Sequence, residues 1–315
     1  MRVALLDDYQ GVAMSMADWK RLPTNVDVVA FPDHVDDEAA LVDRLKDFDI
    51  VMAMRERTPF PGSLLAQLPR LKLIVTAGMR NASIDMAGAA AHGVMVCGTS
   101  GLATPTAELT WGLILSLMRY IPREDQATRD GHWETTVGWT LHGKRLGLLG
   151  LGRLGAQVAR VGLAFGMELV AWSQNLTDER AQEVGVERVD KATLFTASDI
   201  ISVHLVLSER TRDLVGANEL ASMKSGAFIV NTSRGPIINE SALVEALRAG
   251  RIAGAGLDTF DVEPLPRDHP FLQLSNTVIT PHLGYVTVET LEVFYQQALE
   301  DIEAFLAGEP IRVLQ

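Results

Sequence analysis

Apolar and polar positions along this chain fall into two kinds of segment: short, wholly apolar runs, and longer stretches with apolar residues at helical spacing. The first kind reads as buried strands and the second as amphipathic helices, and their alternation predicts parallel sheets covered by helices. In the N-terminal third the strand candidates are 2–6, 26–31, 50–54, 71–75 and 94–97, separated by helical segments such as Glu38-Ala-Ala-Leu-Val-Asp-Arg-Leu. Residues 109–121 read as one long helix closed by Pro122. A second strand series starts at Leu146 and continues through 168–172, 200–203, 227–231, 252–257 and 277–280. The final helical segment, 288–306, is strongly amphipathic.

One loop refines this pattern. The strand-like Arg145-Leu-Gly-Leu-Leu runs into Gly150-Leu-Gly-Arg-Leu-Gly155, which opens a helix-like segment. A glycine loop between strand and helix suits a pyrophosphate, because bare backbone N–H groups and the helix N-terminus face the anion. Gly150 makes the tight turn, Gly152 admits the phosphates, and Gly155 lets helix and strand pack closely. Six strands with this loop after the first predict a doubly wound nucleotide fold. Because the loop lies mid-chain, the nucleotide domain (101–285) is expected as an insertion into a domain built from 1–100 plus 286–315. Two linker helices then form a hinge, and the cleft between domains is the expected active site.

A length of 315 residues fits two domains, each of about 150 residues. Hydrophobic content of 47% with 22% charged residues is that of a globular chain. The net charge of −12 opposes nucleic-acid binding and means that an anionic substrate needs local positive charge for capture. The lone Cys97 lies in an apolar run and reads as a buried hydrophobe, which points to the reducing cytosol. The most apolar stretch, 109–118, ends at charged neighbours, far short of the roughly 20 residues a membrane span needs. Neither nucleic acid nor membrane is expected as a partner.

Three charged residues follow the later strands, where ligands sit in open α/β sheets: Arg234, Glu263 and His282. Their separation forbids a local motif, but strand ends converge in space. The other histidines, His34, His92, His132, His142 and His269, read as surface or packing residues, whereas His204 is placed to line the nucleotide site. No histidine or cysteine spacing suggests a metal site.

Here the chain resembles the D-isomer-specific 2-hydroxyacid dehydrogenases. The resemblance runs from about Ile50 to the end and rests on Leu141-His-Gly-Lys-Arg-Leu-Gly, the glycine loop, Met223-Lys, Asn231-Thr-Ser-Arg-Gly, Leu257-Asp, Glu263-Pro-Leu-Pro and Thr280-Pro-His-Leu-Gly. It implies a Rossmann nucleotide domain inserted into a flavodoxin-like substrate domain, a homodimer, and hydride transfer between NAD(P)H and a small 2-oxo or D-2-hydroxy acid. His282 is then the proton donor in reduction, Glu263 orients its ring and raises its pKa above the free value of about 6.5, and Arg234 clamps the substrate carboxylate. Cofactor contacts fall on Gly150, Gly152, Arg153, Leu154, Gly155, Ser173, His204, Thr232, Ser233 and Asp258, the last beside the nicotinamide amide. Backbone amides of the turn holding Gly78, Met79 and Arg80 are expected to grip the substrate carboxylate, with Arg55 reaching the same place. Arg80 stands where the family often has glycine, and Glu56 departs from the common Arg-Ser-x-Thr. Ser173 stands where an acid for the adenosine ribose is expected, so NAD and NADP both fit; the lack of a dedicated cationic clamp favours NAD. Two other readings are an NAD-sensing, co-repressor-like binding protein and a formate- or phosphite-type dehydrogenase; the Glu263–His282 pair argues against the formate type.

Overall fold

The structure, a computed structural model, describes residues 1–314 and divides into two compact units, Met1–Leu102 with the chain from Val286 onward, and Ala103–Tyr285. In the first unit, β1 (Arg2–Leu5), β2 (Asp27–Ala30), β3 (Ile50–Ala53), β4 (Leu73–Thr76) and β5 (Met95–Gly98) form a parallel sheet in the order β2-β1-β3-β4-β5. Every residue of β3 and β4 is buried, which is why these strands read as unbroken apolar runs rather than as alternation. The helix Val288–Ala307 lies against β4 and closes at Gly308, whose φ of 79° is a left-handed cap. It buries Leu291, Phe294, Tyr295, Ala298, Leu299 and Ile302, an i, i+3, i+4, i+7 stripe. Each such large side chain taken fully out of water is worth roughly 1.5–3 kcal/mol. The residues after it add an antiparallel bridge, Cys97 to Val313, on the edge strand β5.

The second unit holds β6 (Arg145–Leu149), β7 (Glu168–Trp172), β8 (Glu187–Arg188), β9 (Ile200–Val203), β10 (Phe228–Asn231), β11 (Gly254–Leu257) and β12 (Thr277–Ile279). Their order is β12-β11-β10-β9-β6-β7-β8, all parallel. Seven strands therefore stand where six were expected. The additional β8 is two exposed charged residues and carries no apolar signal. The long helix also differs from expectation: it spans Thr104–Arg119 and a second helix, Ile121–Arg129, follows. Tyr120 breaks the path at φ 53°, and Pro122 sits in the first turn of the new helix, where its missing N–H costs nothing.

The strand order reverses between β6 and β9, and the glycine loop leaves β6 at that point. Gly150 has φ 107°, and a Cβ there would lie 2.6 Å from the His204 carbonyl oxygen. A Cβ on Gly155 would lie 2.2 Å from the Gly150 carbonyl oxygen, so helix Arg153–Ala164 reaches the strand only because no side chain intervenes. Gly155→Ala is expected to cost about 1–3 kcal/mol through this overpacking, read as a lower urea midpoint; an unchanged midpoint would show that the contact is not tight.

Candidate active site

The loops leaving β10, β11 and β12 each carry one of the three charged candidates, and the local sequence ties them together. Asn231 ends β10 almost fully buried; its side chain donates to the Arg234 carbonyl at 2.9 Å and accepts from the Ser233 N–H at 3.0 Å. That brace shapes the turn presenting Arg234. Next, Gly235 passes so close to Phe260 that a Cβ would lie 2.2 Å from its carbonyl carbon. The Phe260 N–H in turn donates to Glu263 Oε1 at 2.9 Å. Backbone contact thus brings the Arg234 loop onto the Glu263 loop.

Glu263 Oε2 meets His282 Nδ1 at 2.6 Å. Burial raises the glutamate's pKa, but the His282 hydrogen bond and the charges of His282 and Arg234 outweigh it, so Glu263 lies below the usual carboxylate range. It is therefore a fixed anion at neutral pH. The imidazole packs edge-on to Tyr285, with centroids 5.6 Å apart.

Asp258, with no exposed surface, holds the loop that carries His282. Its Oδ1 accepts from Thr280 Oγ1 at 2.6 Å and Leu283 N–H at 2.7 Å, and its Oδ2 from Gly284 N–H at 2.9 Å. Burial pushes this carboxyl above the usual range despite donors that favour its charged form. His282 itself sits at φ 54°, a left-handed conformation that costs a non-glycine residue about 1–3 kcal/mol and persists only where neighbours over-determine it. The three bonds to Asp258 are that over-determination. Sequence reasoning singled out Asp258 but passed over Asn231, Thr280 and Gly235, whose only signal was membership of the motifs carrying Arg234 and His282.

The remaining candidates of this unit line the ends of β6, β7, β9 and β10. Helix Arg153–Ala164 begins at Gly152 with no side-chain cap, and the space where a Cβ would stand on Gly152 is open. Its first N–H groups are thus available to an anion, with exposed Arg153 and half-buried Leu154 in the first turn, so these residues fit a dinucleotide pyrophosphate. Ser173 directly follows β7. His204 lies with its backbone against Gly150 while its ring bonds Ser202 Oγ at 2.9 Å; burial pulls its pKa down to about 4, so it is neutral. Thr232 Oγ1 pairs with Thr110 Oγ1 at 2.8 Å, and Ser233 Oγ donates to the Leu205 carbonyl.

In the first unit, Arg55 follows β3 at φ 54° and lays its guanidinium over Gly78, where a Cβ would lie 3.1 Å from Nη1. The expectation for the 78–80 amides changes in one respect. The Gly78 N–H already donates to Thr99 Oγ1 at 3.0 Å, so Met79 and Arg80, both exposed, carry the amides with no partner among the described residues. Among the described residues no group of three or more histidine, cysteine or acidic side chains could hold a metal ion, and no helix is long and apolar enough to cross a membrane.

Comparison with known proteins identifies the family. The family model of the D-isomer specific 2-hydroxyacid dehydrogenase, NAD binding domain, matches residues 111–284. A glyoxylate reductase of Aeropyrum pernix is 41% identical over 255 residues, 78% of this chain and 76% of the relative. A hydroxypyruvate reductase of Thermotoga maritima is 40% identical over 245 residues, 76% of this chain and 79% of the relative. Among solved structures, a phosphoglycerate oxidoreductase from Vibrio cholerae superposes with a TM-score of 0.93 at 37% identity, covering 98% of this chain and 99% of its own.

The Asp258 brace has a measurable weight. Asp258→Asn keeps the shape but turns one acceptor into a donor facing buried N–H groups, and is expected to destabilise by about 1–3 kcal/mol in denaturant unfolding. A variant as stable as the parent would remove Asp258 as the holder of this loop.

Proposed function

This chain belongs to the D-isomer-specific 2-hydroxyacid dehydrogenases, and from its site geometry we propose that it reduces a small 2-oxo acid of the glyoxylate or hydroxypyruvate type. The observation that carries this reading is the Glu263–His282 bond of 2.6 Å beside the Arg234 loop. Bound NAD(P)H supplies the hydride. His282, with Nδ1 committed to Glu263, gives the proton on Nε2 to the carbonyl oxygen as negative charge develops there. Glu263 stabilises the imidazolium and fixes its direction. Arg234 takes the substrate carboxylate through a rigid two-pronged donor that lysine cannot copy. In the first unit, Arg55 and the Met79 and Arg80 amides are the groups suited to a substrate carboxylate.

NAD is the preferred cofactor in this reading. Ser173 offers no repulsion to a 2′-phosphate, but no arginine takes the place of the missing acid in the sequence after β7. The Cys97 thiol, which burial pushes up to about 11, is inert and suits the cytosol. A second copy of the chain is the proposed partner, docking on the stretch after Ile121–Arg129. That helix buries no residue, and Trp133, Val137 and Trp139 are 78%, 91% and 45% exposed.

A panel of 2-oxo acids assayed with NADH and NADPH tests the activity. Turnover with higher kcat/KM for NADH is expected; NADH binding without turnover of any acid would favour a cofactor-sensing protein instead. His282→Ala should lower kcat by about 10²–10⁴-fold with NADH binding retained, and Arg234→Lys should weaken substrate capture despite its charge; wild-type turnover in either rejects the role. Since Glu263 lies below the usual carboxylate range, reduction should hold on the acid side until pH falls beneath that range; activity lost within the range would reject Glu263 as a fixed anion. In light scattering the chain should be dimeric and a Trp133→Glu/Val137→Asp double variant monomeric; a monomeric parent would overturn the dimer.

A further inference from the structure

In the first unit the strand order reverses between β1 and β3, and the residues leaving those two strands are both held at positive φ: Asp7 at 58° and Arg55 at 54°. In sheets of this order the reversal is where ligands bind, and backbone strain concentrates at such places. The two strained loops are bonded together. Asp7, 1% exposed, accepts from Thr58 Oγ1 at 2.7 Å, and its carbonyl accepts from Arg57 Nη1 at 3.3 Å. Its other carboxylate oxygen meets His34 Nδ1 at 2.7 Å, while His34 Nε2 meets Asp36 Oδ1 at 3.0 Å. An imidazole facing a carboxylate on each nitrogen must donate from both, so the geometry is that of the imidazolium. His34, which reads from sequence as a surface or packing residue, is thus the hub of an ionic network.

We propose that His34 is a positioning residue for substrate capture: its imidazolium aligns Asp7, and Asp7 holds the 55–58 loop that aims Arg55 across Gly78. The proposal rests on the reading above in which Arg55 meets the substrate carboxylate. The loop has a second brace, Asn81, whose amide donates to the Arg55 carbonyl at 2.6 Å and to Thr76 Oγ1 at 2.9 Å. Asn81 fixes the start of the loop and Asp7 its end, so losing the Asp7 alignment lets the loop drift without unfolding it. The charged groups around His34 are Asp7 from the β1 end, Asp36 and Asp33 on its own loop, Arg44 paired with Asp33 from helix Glu38–Leu45, Arg57 from the β3 end, and Tyr9, whose ring lies 4.8 Å from the Arg57 guanidinium carbon. The Asp7 hydrogen bond raises the histidine's pKa against the effect of burial. Below that raised value the network is intact; as pH rises through it the proton leaves, the Asp36 contact goes first, and Asp7 loses its counter-charge.

Steady-state reduction of glyoxylate with NADH across the pH range, paired with NMR titration of the His34 ring and the 55–58 amides, tests this. His34→Gln should raise KM for glyoxylate by tenfold or more at neutral pH with kcat within threefold, and the variant's KM should no longer change with pH on the alkaline side. Asp36→Asn, a surface change, should move the His34 midpoint and the alkaline rise in KM to lower pH together, with kcat unchanged. A KM in His34→Gln within twofold of the parent at every pH, or an Asp36→Asn midpoint that shifts without KM following, overturns the proposal. If the parent reduces no 2-oxo acid, the functional reading fails instead. In that case the amides decide the positioning role: they must follow the His34 titration in the parent and be pH-independent in His34→Gln, and amides that ignore it overturn the role as well.

Discussion

A buried carboxylate with both oxygens engaged, Asp258, is the constraint on which the site depends. Its bonds to Thr280, Leu283 and Gly284 hold His282 in a backbone conformation that a histidine does not adopt unaided. Released from that brace, the loop would relax toward ordinary φ and the ring would leave Glu263. The 2.6 Å Glu263–His282 bond is therefore a consequence of packing two positions away as much as of attraction between the pair. Burying a carboxylate costs free energy unless its lone pairs are satisfied, and here the cost is offset by the three donors that also shape the loop.

The same device recurs in simpler form. Asn231 braces the turn bearing Arg234, and the absent side chain of Gly235 lets that turn sit on the backbone at Phe260. Asp7 and Asn81 hold the loop bearing Arg55. In each case a short polar side chain at or just beyond a strand end satisfies neighbouring backbone or hydroxyl groups, and the charged residue beyond it is left directed rather than mobile. An enzyme with a net charge of −12 has particular need of such directed cations, because its overall field repels the anion it must bind.

Much of this was legible in the chain itself. Buried parallel strands write themselves as apolar runs, so the strands came out within a residue or two of their observed ends, and the glycine loop marked the strand after which the order reverses. Arg234, Glu263 and His282 stood out because each follows a strand that a nucleotide fold uses for ligands. Other features were silent for physical reasons. Two charged residues of β8 have no apolar face to show, and the break at Tyr120 depends on a backbone angle rather than a breaker residue, which made Pro122 look like an end when it is a beginning. His34 was missed because its buried partner, Asp7, comes from the end of another strand, and such convergence has no sequence spacing.

The most direct measurement of the central claim is a crystal structure with NADH and oxamate, an unreactive analogue of a small 2-oxo acid. The expected result has the oxamate carboxylate on the Arg234 guanidinium and its carbonyl oxygen within hydrogen-bond distance of His282 Nε2, with Nδ1 still on Glu263. Oxamate held by other groups, with the His282 ring turned from it, would contradict the account.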